Sequence, residues 1–229
     1  MDGKEIELAR GLRLSARSSQ PRSLCILSLP VPSHSTPFSL QSVEGSTILR
    51  LQSDDSTNRL TLSVVEAVTK AILDLAQTAR PLIITGNQQF FSAGADLNEI
   101  AALSGADAYE FSRKGQTLMN AIEQFPAPVY AAIDGYCMGG GLDLALACHR
   151  RIASPHAVFG HRGAALGLIT GWGGTQRLPR LVGKGRCLEM LLVAERLPAR
   201  EALRLELIDA IAEPAVEESV RRICALTHV

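Results

Sequence analysis

The sequence predicts an α/β protein whose largely parallel sheets are covered by helices. Three observations carry that expectation. Short apolar runs of strand length recur, as at 82–85 and 129–133, the pattern of strands buried on both faces. Longer segments with apolar residues at helical spacing lie between such runs. Turn-forming pairs such as Gly86-Asn87 and Asp134-Gly135 mark the junctions, so strands and helices alternate along the chain.

The elements follow from the N-terminal side. Residues 38–43 and 46–51 flank Glu44-Gly45 and predict a hairpin. Over 63–79, Val64, Val65, Val68, Ile72, Leu73 and Leu75 give the spacing of an amphipathic helix. A short buried strand at 81–85 ends at Gly86-Asn87. A helix over 106–124 is closed by Pro126 and Pro128, and 129–133 is the next strand, with Asp134-Gly135 as its turn. An apolar helix is expected to begin near Leu142. Another begins near Gln176, with Thr175 as its N-cap. There is no internal repeat and no heptad pattern.

The chain has 229 residues, which fits one domain or one domain with tails. Hydrophobic residues make up 46% and charged residues 20%, enough for a sizeable core. Lys plus Arg and Asp plus Glu number 23 each. With no net charge there is no field to gather nucleic acid or an anionic membrane, so neither is an expected partner. Cys25, Cys137, Cys148, Cys187 and Cys224 form no close pair and read as packed thiols in a reducing, cytoplasmic setting. No apolar run has the length of a bilayer span. Residues 1–37 stand apart, with arginines among Ser and Pro and no acid from 9 to 43. A transit peptide shares that composition, but Asp2, Glu5 and Glu7 do not suit one, so 1–37 is expected to be a poorly ordered extension before a core over 38–229.

Chemistry concentrates in three glycine-bearing segments. From Pro128 the chain reads PVYAAIDGYCMGGGLDLALACHRR: a buried strand, a turn, three glycines and an apolar helix. The first N–H groups of a helix lack intrahelical partners and sit at the positive end of its dipole. Glycine there admits an anion, or an oxygen that becomes anionic during reaction. Tight strand–helix packing explains the same glycines equally well. Upstream, FFSAGADL (90–97) leaves another strand and enters another helix, so two turns aim one N–H each at a common oxygen, the geometry of an oxyanion hole. Asp96 is either a catalytic acid or a helix cap, and caps are the commoner use. The third segment, FGHRGAALGLITGWGGTQRLPRL (159–181), is not a dinucleotide fingerprint, since it reads G-x-G-G without a downstream acid. Phosphate-loop and nucleophile-elbow motifs are absent too.

In this order and spacing, over roughly 40–222, FFSAGADL, GGGLDLALAC and LGLITGWGGTQRLPRLVGK resemble the enoyl-CoA hydratase/isomerase (crotonase) family. The resemblance implies a crotonase-like spiral of ββα units with helices packed around the sheets, assembled as homotrimers or homohexamers. It implies an acyl-CoA substrate whose thioester oxygen is held by the N–H groups of Ala95 and Gly140. The coenzyme arm would pass Ala93, Gly94, Asp96 and Leu97, and no cofactor beyond the substrate's own coenzyme A moiety is implied.

The family's hydratases use two glutamates, which suits adding water across a double bond: one activates water, the other delivers a proton. Here the first position is Asp143 and the second is Gly163. Aspartate is shorter by one methylene, about 1.5 Å, a displacement to which catalysis is sensitive. Losing one acid–base group removes a factor of about 10²–10⁴. One carboxylate still suffices to move a proton between two carbons of an enolate, so Asp143 as a lone acid/base favours isomerisation over efficient hydration. Asp143 also suits a helix first turn for electrostatic reasons alone. If 159–163 is extended, His161 points the same way as Gly163 and approaches the site, though a packed or solvated histidine is the simpler reading. His149 suits a helix end, and His149, His156 and His161 lack metal-ligand spacing, so no metal is expected. Leu142, Met138, Trp172 and Ala164 are candidates to line the acyl pocket. Arg162 is read as a surface arginine. The chain stops at Val229, short of the family's usual length, so the core is expected to be shortened at its C-terminus. A decarboxylase or lyase acting on the same enolate is an alternative, as is a non-catalytic acyl-CoA-binding or assembly subunit, for which Gly163 speaks.

Overall fold

The computed structural model describes residues 36–227. The expectation for 1–37 therefore lies, apart from its last two residues, outside the described residues. Strands β1 (Phe38–Val43) and β2 (Ser46–Leu51) form the expected hairpin, with Phe38 opposite Leu51 and Val43 opposite Ser46. Glu44 and Gly45 both take positive φ, 39° and 79°, as a two-residue hairpin turn requires.

From β2 onward the chain winds in turns of strand, strand, helix. The first is β2, β3 (Arg59–Leu60) and α1 (Leu62–Ala76). The second is β4 (Leu82–Thr85), β5 (Phe90–Ser92) with β6 (Gly94–Ala95), then α2 (Leu97–Ala102) and α3 (Gly105–Glu123). The third is β7 (Val129–Ile133), β8 (Tyr136–Met138) and α4 (Gly140–Ala147). The fourth is β9 (Arg150–Ala153), β10 (Val158–Gly160), a 3-10 turn (Gly163–Leu166) and α5 (Gly174–Val182). There follow α6 (Lys184–Val193), β11 (Leu197–Pro198), α7 (Ala199–Arg204), β12 (Ala210–Ile211) and α8 (Ala215–Thr227).

The first strand of each turn enters a six-stranded sheet ordered β1-β2-β4-β7-β9-β12, parallel beyond the hairpin. The second strands of the last three turns enter a sheet ordered β11-β10-β8-β5, and β3 pairs with β6. This is the spiral of ββα units.

Alternation along the strands divides the interior in two. Leu49, Leu82, Ile84, Val129, Ala131 and Ile133 join the large core beneath the helices. Their neighbours Ile48, Ile83, Tyr130 and Ala132 face the other way and pack with Val220 and Ile223 of α8. A period of two sends successive side chains to opposite faces, and all five residues of β7 are buried because both faces are covered. Each buried Val, Leu or Ile contributes about 1.5–3 kcal/mol.

Two helices begin earlier than sequence periodicity suggests. Helix α4 starts at Gly140 rather than near Leu142, and α5 starts at Gly174 with Gly173 as its cap, so Thr175 lies inside the first turn. Glycine is a poor helix former, and tertiary packing overrides that preference at both starts. Helix α1 ends at Ala76 instead of reaching 79, where Ala79 takes φ 49°. The segment 159–163 is not extended throughout, since β10 stops at Gly160 and the 3-10 turn begins at Gly163.

Candidate active site

The second strands of successive turns end beside one another, so the loops that follow them meet at one cavity of about 730 Å³. The first wall is the turn from β5 to β6. Ala93 N–H donates to Thr57 O at 2.9 Å, and the Ser92 hydroxyl donates to Asn58 O at 2.7 Å while accepting from Gly94 N–H. Gly94 has φ 91°, and a Cβ there would stand 2.6 Å from Met138 O and 2.9 Å from Gly140 N. Only glycine allows this turn to lie against the start of α4. Ala93, Ala95 and Leu97 line the cavity. Asp96 turns its carboxylate to α2 instead, accepting from Asn98 and Glu99 N–H at 2.8 and 3.2 Å. It is the helix cap.

The second wall is the entry to α4. Gly139 takes φ 52° and ψ −121°, its N–H donates to Gly160 O at 2.9 Å, and its carbonyl accepts from Asp143 N–H. Gly140, the first helical residue, has no intrahelical acceptor for its N–H. A Cβ on Gly140 would sit 3.3 Å from Ala95 N, and one on Gly141 would sit 2.6 Å from Ser92 O. The backbones at 95 and 140 thus lie side by side at the cavity, at the positive end of a buried helix. The far end of α4 is held by Arg151, which donates to Cys148 O and Leu207 O at 2.8 Å each. Burial pushes the Cys137 thiol well above its ordinary value and the Cys148 thiol up to about 12, so both are packed thiols rather than nucleophiles.

The third wall follows β10. Asp143, 2% exposed, accepts from the Thr170 hydroxyl through Oδ2 at 2.5 Å. Its Oδ1 lies 3.1 Å from Nε2 of His161, itself 5% exposed, but out of line for a hydrogen bond. Both atoms are therefore buried without a hydrogen-bond partner. Gly174 makes room for them, since a Cβ there would fall 2.2 Å from Asp143 Oδ1. Trp172 packs on Phe111 with ring centroids 5.2 Å apart, and its ring fills the places where side chains of Gly115 and Gly140 would stand. Arg177 fixes this segment to α3 by donating to Glu123 at 2.6 Å, Asn120 at 2.9 Å and Trp172 O at 3.3 Å.

At the second family carboxylate position, Gly163 lines the cavity, but the direction a side chain would take from it runs into protein backbone. A Cβ there would lie 2.8 Å from Leu168 O, because Leu168 N–H closes back onto Gly163 O at 2.9 Å. His161 reaches Asp143 although its segment is not extended. His149 serves the fold: its Nδ1 accepts from Val129 N–H at 2.8 Å, leaving Nε2–H to face Glu123 O at 3.1 Å. His156 lies 4.0 Å from Glu213 at the surface. Met138, Trp172 and the exposed Arg162 line the cavity, whereas Leu142 is in the core and Ala164 lies outside the lining. Thr170, which sequence reasoning missed, belongs to the site; nothing at 27 residues' separation signals its bond to Asp143.

Together these walls define a class of protein: a ββα spiral in which two adjoining glycine-bearing turns and a buried carboxylate meet at an apolar cavity. A sequence profile of enoyl-CoA hydratase/isomerase matches residues 43–227, and the chain belongs to that family. It is 43% identical over 164 residues to a probable enoyl-CoA hydratase of Bacillus subtilis (strain 168), covering 70% of this chain and 63% of the relative. It is 44% identical over 142 residues to the fatty acid oxidation complex subunit alpha of Shewanella halifaxensis, covering 61% of this chain and 20% of that subunit. The chain therefore spans less than two thirds of the length of these curated relatives. Among solved structures it superposes on Pseudomonas aeruginosa DspI with TM-score 0.81 and 32% identity, covering 85% and 82% of the two chains. An enoyl-CoA hydratase from Bacillus anthracis matches with TM-score 0.77 and 33% identity, covering 82% and 76%. Among the described residues, no helix is long and apolar enough to cross a membrane.

Proposed function

We propose that the cavity binds an acyl-CoA and that the protein moves a proton along its acyl chain, isomerising an enoyl thioester. The carrying observation is Asp143, the single buried carboxylate among the described residues, set in the first turn of α4, while Gly163 offers no second one. The thioester oxygen sits between the N–H groups of Ala95 and Gly140. Donors already fixed in place stabilise developing negative charge without reorganising, and one such donor is typically worth about 10²–10³ in rate. Asp143 then takes a proton from the acidified carbon beside the carbonyl. Its Thr170 bond holds Oδ2, so Oδ1 is the basic atom.

The coenzyme arm passes the 93–97 turn, where Ala93 and Leu97 line the cavity and Gly94 and Asp96 hold the turn's shape. No further cofactor takes part. The apolar side chains exposed on α6, Leu188, Leu192 and Val193, support association as a homotrimer or homohexamer. The absence of disulfides at Cys137, Cys148 and Cys187 suits a cytoplasmic protein.

The test is incubation with a 3-enoyl-CoA and a 2-enoyl-CoA in deuterated water, followed by mass spectrometry. Double-bond migration with deuterium uptake and no net gain of water is the expected result. Net hydration overturns isomerisation as the reaction. Coenzyme binding without any exchange assigns the chain to the non-catalytic subunits instead.

A further inference from the structure

Resting on that reading, the geometry points to His161 as a second catalytic residue, which with Asp143 forms one acid–base pair in place of a pair of carboxylates. Two observations carry this. Asp143 Oδ1 and His161 Nε2 are 3.1 Å apart, buried in the wall of the cavity, and neither has a hydrogen-bond partner. Buried polar atoms left unmatched cost free energy, and such atoms in a cavity mark a functional arrangement rather than a packing one. Gly174 also keeps clear the space both atoms share, since a Cβ there would lie 2.2 Å from Oδ1 and 3.0 Å from Nε2. The charged groups that line the cavity with the imidazole are Asp143 from α4, its own neighbour Arg162, and Arg196; Thr170 and Gly174 beside the carboxylate are uncharged.

In the proposed cycle Nε2 starts as the proton donor and Oδ1 as the acceptor. Oδ1 takes the C2 proton of a 3-enoyl thioester, and the C–H electron pair moves toward the thioester oxygen, giving a dienolate. The Nε2 proton passes to C4, whose new bond takes the C3–C4 double-bond electrons, and the double bond re-forms between C2 and C3. Once product leaves, Asp143 gives its proton to solvent and Nε2 takes one from solvent. Substrate and product are isomers, and the pair ends as it began. The two carbons are separated by a single atom, a span comparable with the 3.1 Å between the two protein atoms.

The experiment compares the intact protein with His161→Gln, using 3-enoyl-CoA in deuterated water. We expect kcat to fall about 10²-fold with KM little changed, since one acid–base role is lost. The wild type should place solvent deuterium at C4 from the first turnover, while His161→Gln, left with one carboxylate, should keep a larger share of the original C2 proton in the product. An unchanged kcat and unchanged label in His161→Gln overturn the pairing while leaving the isomerase reading intact. A second measurement needs neither turnover nor a histidine variant: the Nε2 nitrogen NMR signal of His161, compared at one pH in wild type and in Asp143→Asn. Removing a carboxylate whose Oδ1 lies 3.1 Å from Nε2 should displace that signal. An undisplaced signal overturns the pairing. A displaced signal in a protein with no turnover supports the pair and overturns the isomerase reading alone.

Discussion

Replacing Gly174 by alanine puts a methyl group where the structure places the working end of Asp143. The added carbon would lie 2.2 Å from Oδ1, 2.9 Å from the Thr170 methyl and 3.0 Å from His161 Nε2. An ordinary carbon–oxygen contact is longer than the first of these by about 1 Å, so the carboxylate must swing or slide by that much. Gly174 is helical and needs no special backbone conformation, so the whole effect is local. The displaced atom ends a short side chain that can turn, which holds the folding cost to the low end of the overpacking range of about 1–3 kcal/mol. For a domain of this size that is a melting shift of roughly 2–4 °C. Catalysis fares worse, because a 1 Å misplacement of a reacting group costs on the order of 10²-fold in rate. Steady-state kinetics on a 3-enoyl-CoA, with a thermal melt alongside, checks both numbers. Gly185→Ala is the control: it lies on α6 with open space around it and should leave kcat unchanged. Full activity in Gly174→Ala, at an unchanged melting temperature, would refute the placement of Asp143 at the reacting carbon.

Three further outcomes follow from the same geometry. Gly163→Glu should not create a two-carboxylate hydratase. Its Cβ meets Leu168 O at 2.8 Å, so the variant should lose stability and show no gain in hydration by product analysis. Gly115→Ala drives a carbon to 2.1 Å from Trp172 Nε1; the ring is rigid and clamped against Gly140, so chemical denaturation should report a loss of about 1–3 kcal/mol or more. Asp55→Asn tests the loop that braces the 92–95 turn. The Thr57 N–H, then the Thr57 hydroxyl, hold the Asp55 carboxyl down from its ordinary 3.8 to about 2. A depressed folded-state value means the carboxylate's contribution is present above pH 4 and lost as pH falls through 2. Urea midpoints of wild type and Asp55→Asn should accordingly differ at neutral pH and converge between pH 4 and pH 2.

Much of the fold is legible in the residues because strand burial and helix periodicity are local signals. The β7 run VYAAI, the Glu44-Gly45 turn and the apolar stripe of α1 each announce their structure. The starts of α4 and α5 do not, since glycine argues against a helix and only the walls around Gly140 and Gly174 explain it. In the candidate site, the Ala93–Gly94–Ala95 turn, the glycine run at 139–141 and Asp143 are visible as motifs. The Thr170 bond to Oδ2 and the approach of His161 to Oδ1 are not, because both depend on how the fourth turn of the spiral folds back over the third. His161 reaches the site without the extended segment that strand parity assumes: β10 stops at Gly160, and the ring arrives from the bend that follows it. That Gly163 is shut in by Leu168 O is likewise a tertiary fact.

The most direct measurement is turnover of a 3-enoyl-CoA in deuterated water by wild type and Asp143→Asn, with coenzyme A thioester affinity measured on both. Migration of the double bond with deuterium uptake is expected in the wild type. In the variant kcat should fall by about 10²–10⁴, with affinity nearly retained. Equal turnover in the two proteins would contradict the role given to Asp143.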